Sequence, residues 1–220
     1  MPKKIIGALI IGQSPRPDLV FPLQHMLPDC DILQAGALDK LTLEDLPDTS
    51  EAAYPLVTRM RNDLRVVVAE DYLAPKLQEA LTRLEKEGVV ATILLCAGTF
   101  DHLSGTMPLY KPFKIGLGLL ASLQMKSIGL IAPVAEQEKP IKQRWESRGW
   151  KTATWTADLG NQDTVFRQQL IEKIQAKRLD CIVLDYVGHP VEQVEKLQKL
   201  IDIPVIDLGY LTMMTLANTL

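Results

Sequence analysis

Short runs of apolar residues alternate along the chain with longer segments in which apolar and charged residues repeat at helical spacing. The short runs are bounded by Gly, Pro or Asp and are apolar at successive positions, which is typical of strands buried on both faces. Alternation of such strands with amphipathic helices predicts parallel sheets covered by helices. The clearest strands lie at residues 5–11, 91–95, 127–132, 181–184 and 204–206.

Four longer segments repeat apolar residues every three or four positions, which predicts amphipathic helices. They are residues 72–87, 136–148, 164–176 and 191–200. The first is followed by Gly88, a typical helix-ending residue. Residues 34–69 are less regular, and we predict a strand, a short helix and a small hairpin there.

The second half of the chain resembles the first in its strands and in the loops that follow them. Residues 6–10 are similar to 128–132, and residues 93–99 are similar to 182–189. The loops after the first strand of each half carry Gln13 and Gln137. Two βαβ halves facing one another would gather these loops around one cleft, although any two buried strands share such apolar character.

The division that follows is an α/β fold of two similar halves with mainly parallel sheets and a cleft between the halves. We predict a first half at residues 1–115, with a small insertion at 40–70, and a second half at 116–208. Residues 209–220 are expected to form a C-terminal helix that packs back on the first half. Ligands of open α/β sheets bind beyond the carboxyl ends of the strands, so the chemistry is expected in the loops there.

Composition narrows the functional classes. The 220 residues are 47% hydrophobic and 23% charged, which is enough apolar material for one large core or two smaller ones. A net charge of −3 provides no basic surface for nucleic acid. No apolar run reaches the roughly 18 residues of a membrane span, so we expect no membrane association and a cytoplasmic location.

Motifs for metals and nucleotide cofactors are absent from the sequence. The three cysteines have no Cys-x-x-Cys spacing and the three histidines are scattered, so neither a disulfide framework nor a metal site is predicted. No Gly-x-Gly-x-x-Gly follows the first strand and no Gly-Lys-Ser/Thr occurs, which argues against a nucleotide-binding domain. We therefore expect no cofactor. The oligomeric state stays open, a homodimer included.

Cys96 is the first candidate for chemistry because it follows a predicted buried strand. The small residues Ala97, Gly98 and Thr99 come next, and they leave backbone N–H groups available to an anion and to a thiolate. The Thr99 hydroxyl would join them, unless it caps a helix. The alternative for Cys96 is an inert cysteine that completes the strand, whereas Cys181, at the start of its strand, is expected in the core.

The loop after the first strand is the second candidate. Prolines on both sides of Arg16 stiffen the backbone, so the guanidinium is available for bidentate capture of a carboxylate. Gln13 and Ser14 would add neutral donors. The alternatives are an Arg16 paired with Asp18 and a Ser14 that serves only the turn.

These loops carry strings that resemble the AroM-like family, which is similar to the aspartate/glutamate racemase superfamily. The matching stretches are residues 11–18, 35–39, 55–59, 94–100 and 131–133, together with Gln137 and residues 184–185. The resemblance covers nearly the whole chain. It implies the same two-half α/β fold with a ligand cleft between the halves.

The resemblance also implies roles for two loops. Racemases of the superfamily carry one thiol at a strand end in each half, and Cys96 matches the first. At the second position, where AroM-like chains often have a cysteine after Asp185, this chain has Tyr186. A symmetric two-cysteine racemisation is therefore not expected.

A phenol or an imidazole could replace the second thiol as acid or base, which makes Tyr186 a catalytic candidate and His189 a further one. The milder interpretation has Tyr186 packing over the cleft, His189 capping the helix opened by Pro190, and Asp185 orienting loop amides. Gly188 lies in the same loop.

Thr58 and Arg59 complete the candidate residues, on a hairpin that would close over the cleft or expose its arginine to solvent. The predicted function is binding of a small carboxylate, an amino acid or a dicarboxylate, by a single-cysteine isomerase, racemase-like enzyme or decarboxylase. The alternative is a non-catalytic anion-binding or regulatory protein. The expected binding residues are Gln13, Ser14, Arg16, Thr58, Arg59, Ala97, Gly98, Thr99, Gln137, Asp185, Gly188 and His189.

Overall fold

The structure, a computed structural model, describes residues 2–49, 52, 54–159 and 164–220. The chain forms two compact units. Unit 1 comprises Met1–Ile115 with Thr212–Leu220, and unit 2 comprises Gly116–Leu211.

Unit 1 is built on a four-stranded parallel sheet with an antiparallel hairpin beside it. In chain order its elements are β1 (Lys4–Ile10), α1 (Pro17–Met26), β2 (Cys30–Gly36), β3 (Pro55–Arg59), β4 (Arg65–Ala69), α2 (Glu70–Lys86), β5 (Ala91–Leu94), β6 (Leu109–Tyr110) and the start of α3 (Pro112–Ser122). The sheet order is β2–β1–β5–β6, and β3 pairs with β4.

Unit 2 is also built on a four-stranded parallel sheet. After α3 come β7 (Ser127–Ala132), α4 (Glu138–Glu146), β8 (Lys151–Thr156), α5 (Thr164–Gln175), β9 (Cys181–Leu184), α6 (Val191–Gln198), β10 (Val205–Asp207) and α7 (Leu208–Thr219), whose end belongs to unit 1. The sheet order is β10–β9–β7–β8, and all its pairs are parallel.

The two sheets have the same topology. In unit 1, β1 lies between β2 and β5, and β6 lies beyond β5. In unit 2, β7 lies between β8 and β9, and β10 lies beyond β9, so β5 corresponds to β9. The predicted α/β fold of two similar, mainly parallel halves is confirmed.

Burial explains why these segments fold as they do. The apolar face of α2 is closed against the sheet of unit 1, with Leu73, Leu77, Leu81 and Leu84 at most 1% exposed. Each such side chain stabilises the fold by about 1.5–3 kcal/mol relative to an exposed one. Gly88 ends this segment with a φ of 81°, a left-handed conformation that favours glycine.

The structure adds elements that the apolar pattern does not predict. Helix α3 contains two glycines, and β8 is half-buried and rich in threonine, so neither has a clear period. The predicted helix 136–148 divides into a 3-10 turn at Ala135–Gln137 and the shorter α4. The irregular stretch 34–69 does contain the end of a strand, a 3-10 turn at Leu43–Asp45 and a hairpin. Among the described residues, no helix is long and apolar enough to cross a membrane.

Candidate functional site

The Cys96 thiol lies in a loop at the carboxyl edge of the sheet of unit 1. The loop begins after β5 at Leu95 and continues to β6. The Leu95 N–H donates to the carbonyl of Leu9 at 2.8 Å. The N–H of Gly98 donates to the Cys96 Sγ at 3.3 Å. Cys96 is only 8% exposed and is a member of the buried apolar cluster of the unit, a burial that the alternative interpretation as a core cysteine shares. The sulfur is thus shielded from water and supplied with a backbone donor.

Phe100 closes the same loop. Its ring is fully buried, and a Cβ added to Gly98 would lie 2.5 Å from its Cε2 atom, so the loop needs glycine at that position. Phe100 itself has a φ of 38°, which a side-chain-bearing residue rarely adopts. Such a conformation persists only where surrounding contacts hold it.

Two charged side chains hold this part of the loop. The Glu70 Oε1 atom accepts from the Thr99 hydroxyl at 2.8 Å and from the Phe100 N–H at 3.0 Å. The Lys111 ammonium donates to the carbonyls of Phe100 and Leu103 at 2.8 and 2.5 Å. Burial lowers the pKa of Lys111, assisted by repulsion from a neighbouring lysine. Thr99 therefore bonds to Glu70 and caps no helix.

Gln13, in the loop after β1, ties three segments of unit 1 together. Its Nε2 donates to the carbonyls of Leu38 and Leu41 at 3.0 and 2.8 Å. Its Oε1 accepts the Arg61 N–H at 2.7 Å, and the residue is 7% exposed. The Gln13 amide thus has partners within the unit.

Ser14 is bonded to Asp39, which follows β2. The Asp39 carboxylate accepts the Ser14 N–H at 2.6 Å, the Ser14 hydroxyl at 2.9 Å and the Gly36 N–H at 2.8 Å. The Arg61 guanidinium lies 3.6 Å from the same carboxylate. Asp39 was no candidate on the sequence, although it ends one of the strings that resemble the AroM-like family.

Arg16 is buried and paired. Its Nε and Nη2 donate to the two carboxylate oxygens of Asp18 at 2.9 and 2.6 Å, and this partner holds the pKa of Asp18 below its usual value. Of the two interpretations of this residue, the Asp18 pair is the arrangement observed, but with Arg16 only 8% exposed rather than on the surface.

The hairpin packs directly on the loop after β1. Thr58 of β3 is 5% exposed, and a Cβ added to Gly12 would lie 2.3 Å from its hydroxyl. The Arg59 carbonyl accepts the Gln13 N–H at 3.1 Å, while the Arg59 side chain is about half exposed and lies 3.6 Å from Asp63. In unit 1 the structure therefore joins Gln13, Ser14 and the hairpin in one network.

In unit 2, the residue after β9 is a buried carboxylate. Asp185 accepts from the Arg144 Nη2 at 2.5 and 2.6 Å and from the Trp145 Nε1 at 2.5 Å. The Arg144 and Asp185 side chains are 5% and 1% exposed. Both carboxylate oxygens thus have partners on α4.

Tyr186 and His189 stack edge to face in the same loop, with ring centroids 5.2 Å apart. The His189 Nε2 is buried and, within the described parts of the chain, has no hydrogen-bond partner. Burial lowers the pKa of His189 to about 4, so the imidazole is neutral at pH 7. Helix α6 begins after Pro190 without a side-chain cap, so the expected capping by His189 is not observed. Gly188 turns the loop with a φ of 112°.

A family comparison identifies the chain. The family model described as AroM protein matches residues 6–220. The chain belongs to the AroM family. A search of curated proteins finds no match.

Solved structures similar to this AroM family protein share its fold at low identity. Arylmalonate decarboxylase is 13% identical with a TM-score of 0.63, covering 97% of this chain and 92% of that one. An aspartate racemase homologue from Pyrococcus horikoshii is 11% identical with a TM-score of 0.64, covering 100% and 99%. Maleate cis-trans isomerase from Nocardia farcinica, bound to TRIS, is 10% identical with a TM-score of 0.63, covering 98% and 92%. The AroM chain thus has the fold of the Asp/Glu racemase-like proteins.

One further acid lies at a strand end of this AroM family protein and is not among the candidates that the sequence suggests. Asp207 ends β10, and its Oδ1 accepts the Tyr210 N–H at 2.9 Å. Burial raises the pKa of Asp207 to about 6, although bonds from the Tyr210 and Gly209 amides act in the opposite direction. The apolar pattern predicts a strand at residues 204–206, one residue short of Asp207, so the sequence does not single out this carboxyl group.

The remaining candidate residues, Gln137 and Ala97, are both buried. Gln137 is 5% exposed in the 3-10 turn before α4, and Ala97 is 5% exposed beside Cys96. Over the described part of the chain, no group of three or more His, Cys, Asp or Glu residues has the arrangement to hold a metal ion.

Proposed function

We propose that this AroM family protein binds a small carboxylate, an amino acid or a dicarboxylate, and acts on it with Cys96 as its single thiol. The observation that carries the proposal is the hydrogen bond from the Gly98 N–H to the Cys96 Sγ, in a loop at the carboxyl edge of a parallel sheet. A donor at sulfur favours the thiolate, which is the reactive form of cysteine. Ligands of open α/β sheets bind at this edge.

The named substrates of its structural neighbours support the substrate class. Solved proteins of this fold include an arylmalonate decarboxylase, a maleate isomerase and an aspartate racemase homologue, and each name refers to a small carboxylate. One arylmalonate decarboxylase structure is a sulfate ion associated form, and one maleate isomerase structure contains maleate.

The number of thiols at the two strand-end positions indicates which type of reaction to expect. One thiol delivers a proton to one face of a carbon, or it attacks an activated carbon as a thiolate. Isomerisation or decarboxylation fits this equipment better than two-base racemisation, because Tyr186 stands where a second thiol is expected.

Cysteine alkylation tests the proposal on the intact protein. In a Cys30→Ser background, the rate of Cys96 modification by iodoacetamide is followed by peptide mass spectrometry at pH 7, with and without maleate, malonate or aspartate. Cys181 is the internal control, since burial, with the Asp180 charge as a lesser cause, raises its pKa to about 12. We expect Cys96 to react much faster than Cys181 and to be protected by one of these carboxylates. A Cys96 as slow as Cys181 contradicts the proposal.

A non-catalytic anion-binding protein is the second candidate, and Tyr186 at the second thiol position is the observation that favours it. Ligand binding alone raises the melting temperature by mass action. Turnover adds a second signal, which is the uptake of deuterium from D₂O at the α-carbon of the carboxylate, the release of CO₂ or the conversion of maleate into fumarate. Stabilisation of the parent protein with none of these signals would assign it to the binding class.

A further inference from the structure

We propose that Glu70 is a positioning residue that sets the reactivity of the Cys96 thiol by holding the loop that contains it. The inference deepens the proposed function, since it rests on Cys96 being a reactive thiol. Glu70 is the first residue of α2 and lies 26 residues before the cysteine in sequence, so nothing in the local pattern links the two.

The contacts run from Glu70 to the sulfur in two steps. The Glu70 Oε1 accepts hydrogen bonds from the Thr99 hydroxyl and the Phe100 N–H, and these bonds fix the backbone immediately after Gly98. The buried Phe100 ring then packs against Gly98, so closely that a Cβ there would lie 2.5 Å from the ring. In this arrangement the Gly98 N–H is aimed at the Cys96 Sγ at 3.3 Å.

The loop needs such support because Phe100 has a positive φ of 38°. Loss of the Glu70 bonds removes an acceptor from the Phe100 amide and allows the backbone to relax. The Gly98 N–H then no longer donates to sulfur, and the thiolate loses a stabilising bond.

Other charged groups face this loop and bear on the titration of the thiol. Lys111, which precedes α3, holds the Phe100 and Leu103 carbonyls. Asp101, in the loop itself, pairs with Lys114 of α3 at 2.5 Å. The Glu70 carboxylate accepts hydrogen bonds from Thr99 and Phe100, the two residues that follow Gly98. Its negative charge would oppose the formation of a nearby thiolate. The Gln variant separates that charge from the hydrogen bonds.

Helix α2 offers a matched control at its other end. The Glu85 carboxylate accepts the Thr106 N–H at 2.6 Å and the Met107 N–H at 3.1 Å, so it also fixes a loop through two donors. These two amides lie at the far end of the same connection between β5 and β6, ten and eleven residues after Cys96. Glu85→Ala therefore reproduces the loss of a loop-holding carboxylate without touching the Gly98–Cys96 bond.

The experiment measures the alkylation rate of Cys96 against pH in the full-length Cys30→Ser protein, alone and with Glu70→Ala, Glu70→Gln or Glu85→Ala. We expect Glu70→Ala to raise the midpoint of the pH profile by about one unit, a roughly tenfold loss of rate at neutral pH. Glu70→Gln retains the Oε1 acceptor and is expected within threefold of the parent. Glu85→Ala is expected to leave the midpoint unchanged.

A second variant, Thr99→Val, removes one donor to Glu70 without a change of charge, and it serves if Glu70→Ala does not fold. We expect it to raise the midpoint by a smaller amount. The inference is overturned if Glu70→Ala leaves the midpoint unchanged or lowers it, if Glu85→Ala shifts it as much as Glu70→Ala, or, when only Thr99→Val folds, if that variant leaves it unchanged. In these cases a reactive, ligand-protected Cys96 still supports the proposed function. A parent Cys96 that does not react overturns both.

Discussion

The two units repeat one sheet topology but place different chemistry at the end of the third strand. After β5, unit 1 carries a thiol that accepts an N–H from its own loop. After β9, unit 2 carries Asp185, whose carboxylate is held by Arg144 and Trp145 of α4. The shared backbone fixes where the loops lie, and the side chains that reach them from neighbouring helices decide what each loop does. In unit 1 the helix supplies Glu70, which bonds to the loop after the cysteine, whereas in unit 2 the helix supplies Arg144, which pairs with the residue after the strand.

The two units also differ in how deeply the carboxylates at the carboxyl edges of their sheets are buried. Asp39 in unit 1 is 20% exposed and accepts mainly neutral donors, with two arginines 3.6 and 3.9 Å away. Asp185 in unit 2 is 1% exposed and depends on a buried guanidinium. A buried ion that loses its partner keeps the full cost of desolvation, while a partly exposed one regains water. The unit 2 edge should therefore be the more sensitive to substitution.

The largest effect is expected from Arg144→Met, which leaves the Asp185 charge buried without its cation. We expect a loss of about 3–5 kcal/mol in the free energy of unfolding, measured by urea denaturation. The control is Lys142→Met on the same helix, because Lys142 lies 3.8 Å from Glu146 in an exposed i, i+4 pair. That pair should contribute about 0.3–0.5 kcal/mol. Equal losses in the two variants would contradict the contrast between the edges.

Two titrating groups of unit 2 should give a pH effect of intermediate size. The pKa of His189 is lowered from 6.5 to about 4, so the unfolded state binds more protons in this window and stability falls as the pH drops through it. The pKa of Asp207 is raised from 3.8 to about 6, so the folded state binds more protons and stability falls as the pH rises. Between pH 4 and 6 the two slopes oppose each other.

Single variants should separate the two slopes. Relative to the parent, His189→Gln is expected to gain up to about 3 kcal/mol of stability as the pH falls from 7 to 4, since the cost of charging a buried imidazole disappears. Asp207→Asn should show the reverse, a relative loss of up to about 3 kcal/mol over the same range. Urea midpoints at half-unit pH intervals test both expectations. A His189→Gln profile parallel to the parent would show that the imidazole ionises freely in the folded protein.

Much of the fold follows from local sequence patterns. Strands β1, β5, β7 and β9 are apolar at successive positions because both faces of each sheet are covered, and α2 repeats leucines on one face. The position of Cys96 just after a buried strand is equally local. By contrast, β8 is an edge strand with polar residues, and the apolar α3 carries glycines, so neither follows a simple period.

The partners of the site residues could not be predicted because they come from distant parts of the chain. Glu70 and Thr99 are 29 residues apart, and Arg144 and Asp185 are 41 apart. A sequence shows that an Asp or a Thr follows a strand, but the helix residue that contacts it depends on the packing angle of that helix. For this reason the sequence predicts Gln13 and Ser14 as ligand donors, although the structure gives each of them a distant partner within the protein. Arg16 differs, because its partner Asp18 is two residues away and is one of the alternatives that the sequence offers.

The smallest effect is expected at the edge of unit 1. Asp39→Ala removes the acceptor of the Ser14 hydroxyl and of the Ser14 and Gly36 amides, yet water can reach part of this site. We therefore expect a loss of about 1–2 kcal/mol in the free energy of unfolding, below that of Arg144→Met. Asp31→Ala, which breaks an exposed pair with Lys3 at 3.8 Å, should cost less than about 0.5 kcal/mol. If Asp39→Ala cost as much as Arg144→Met, burial of the carboxylate would not be what distinguishes the two edges, and the number of donors would be the better explanation.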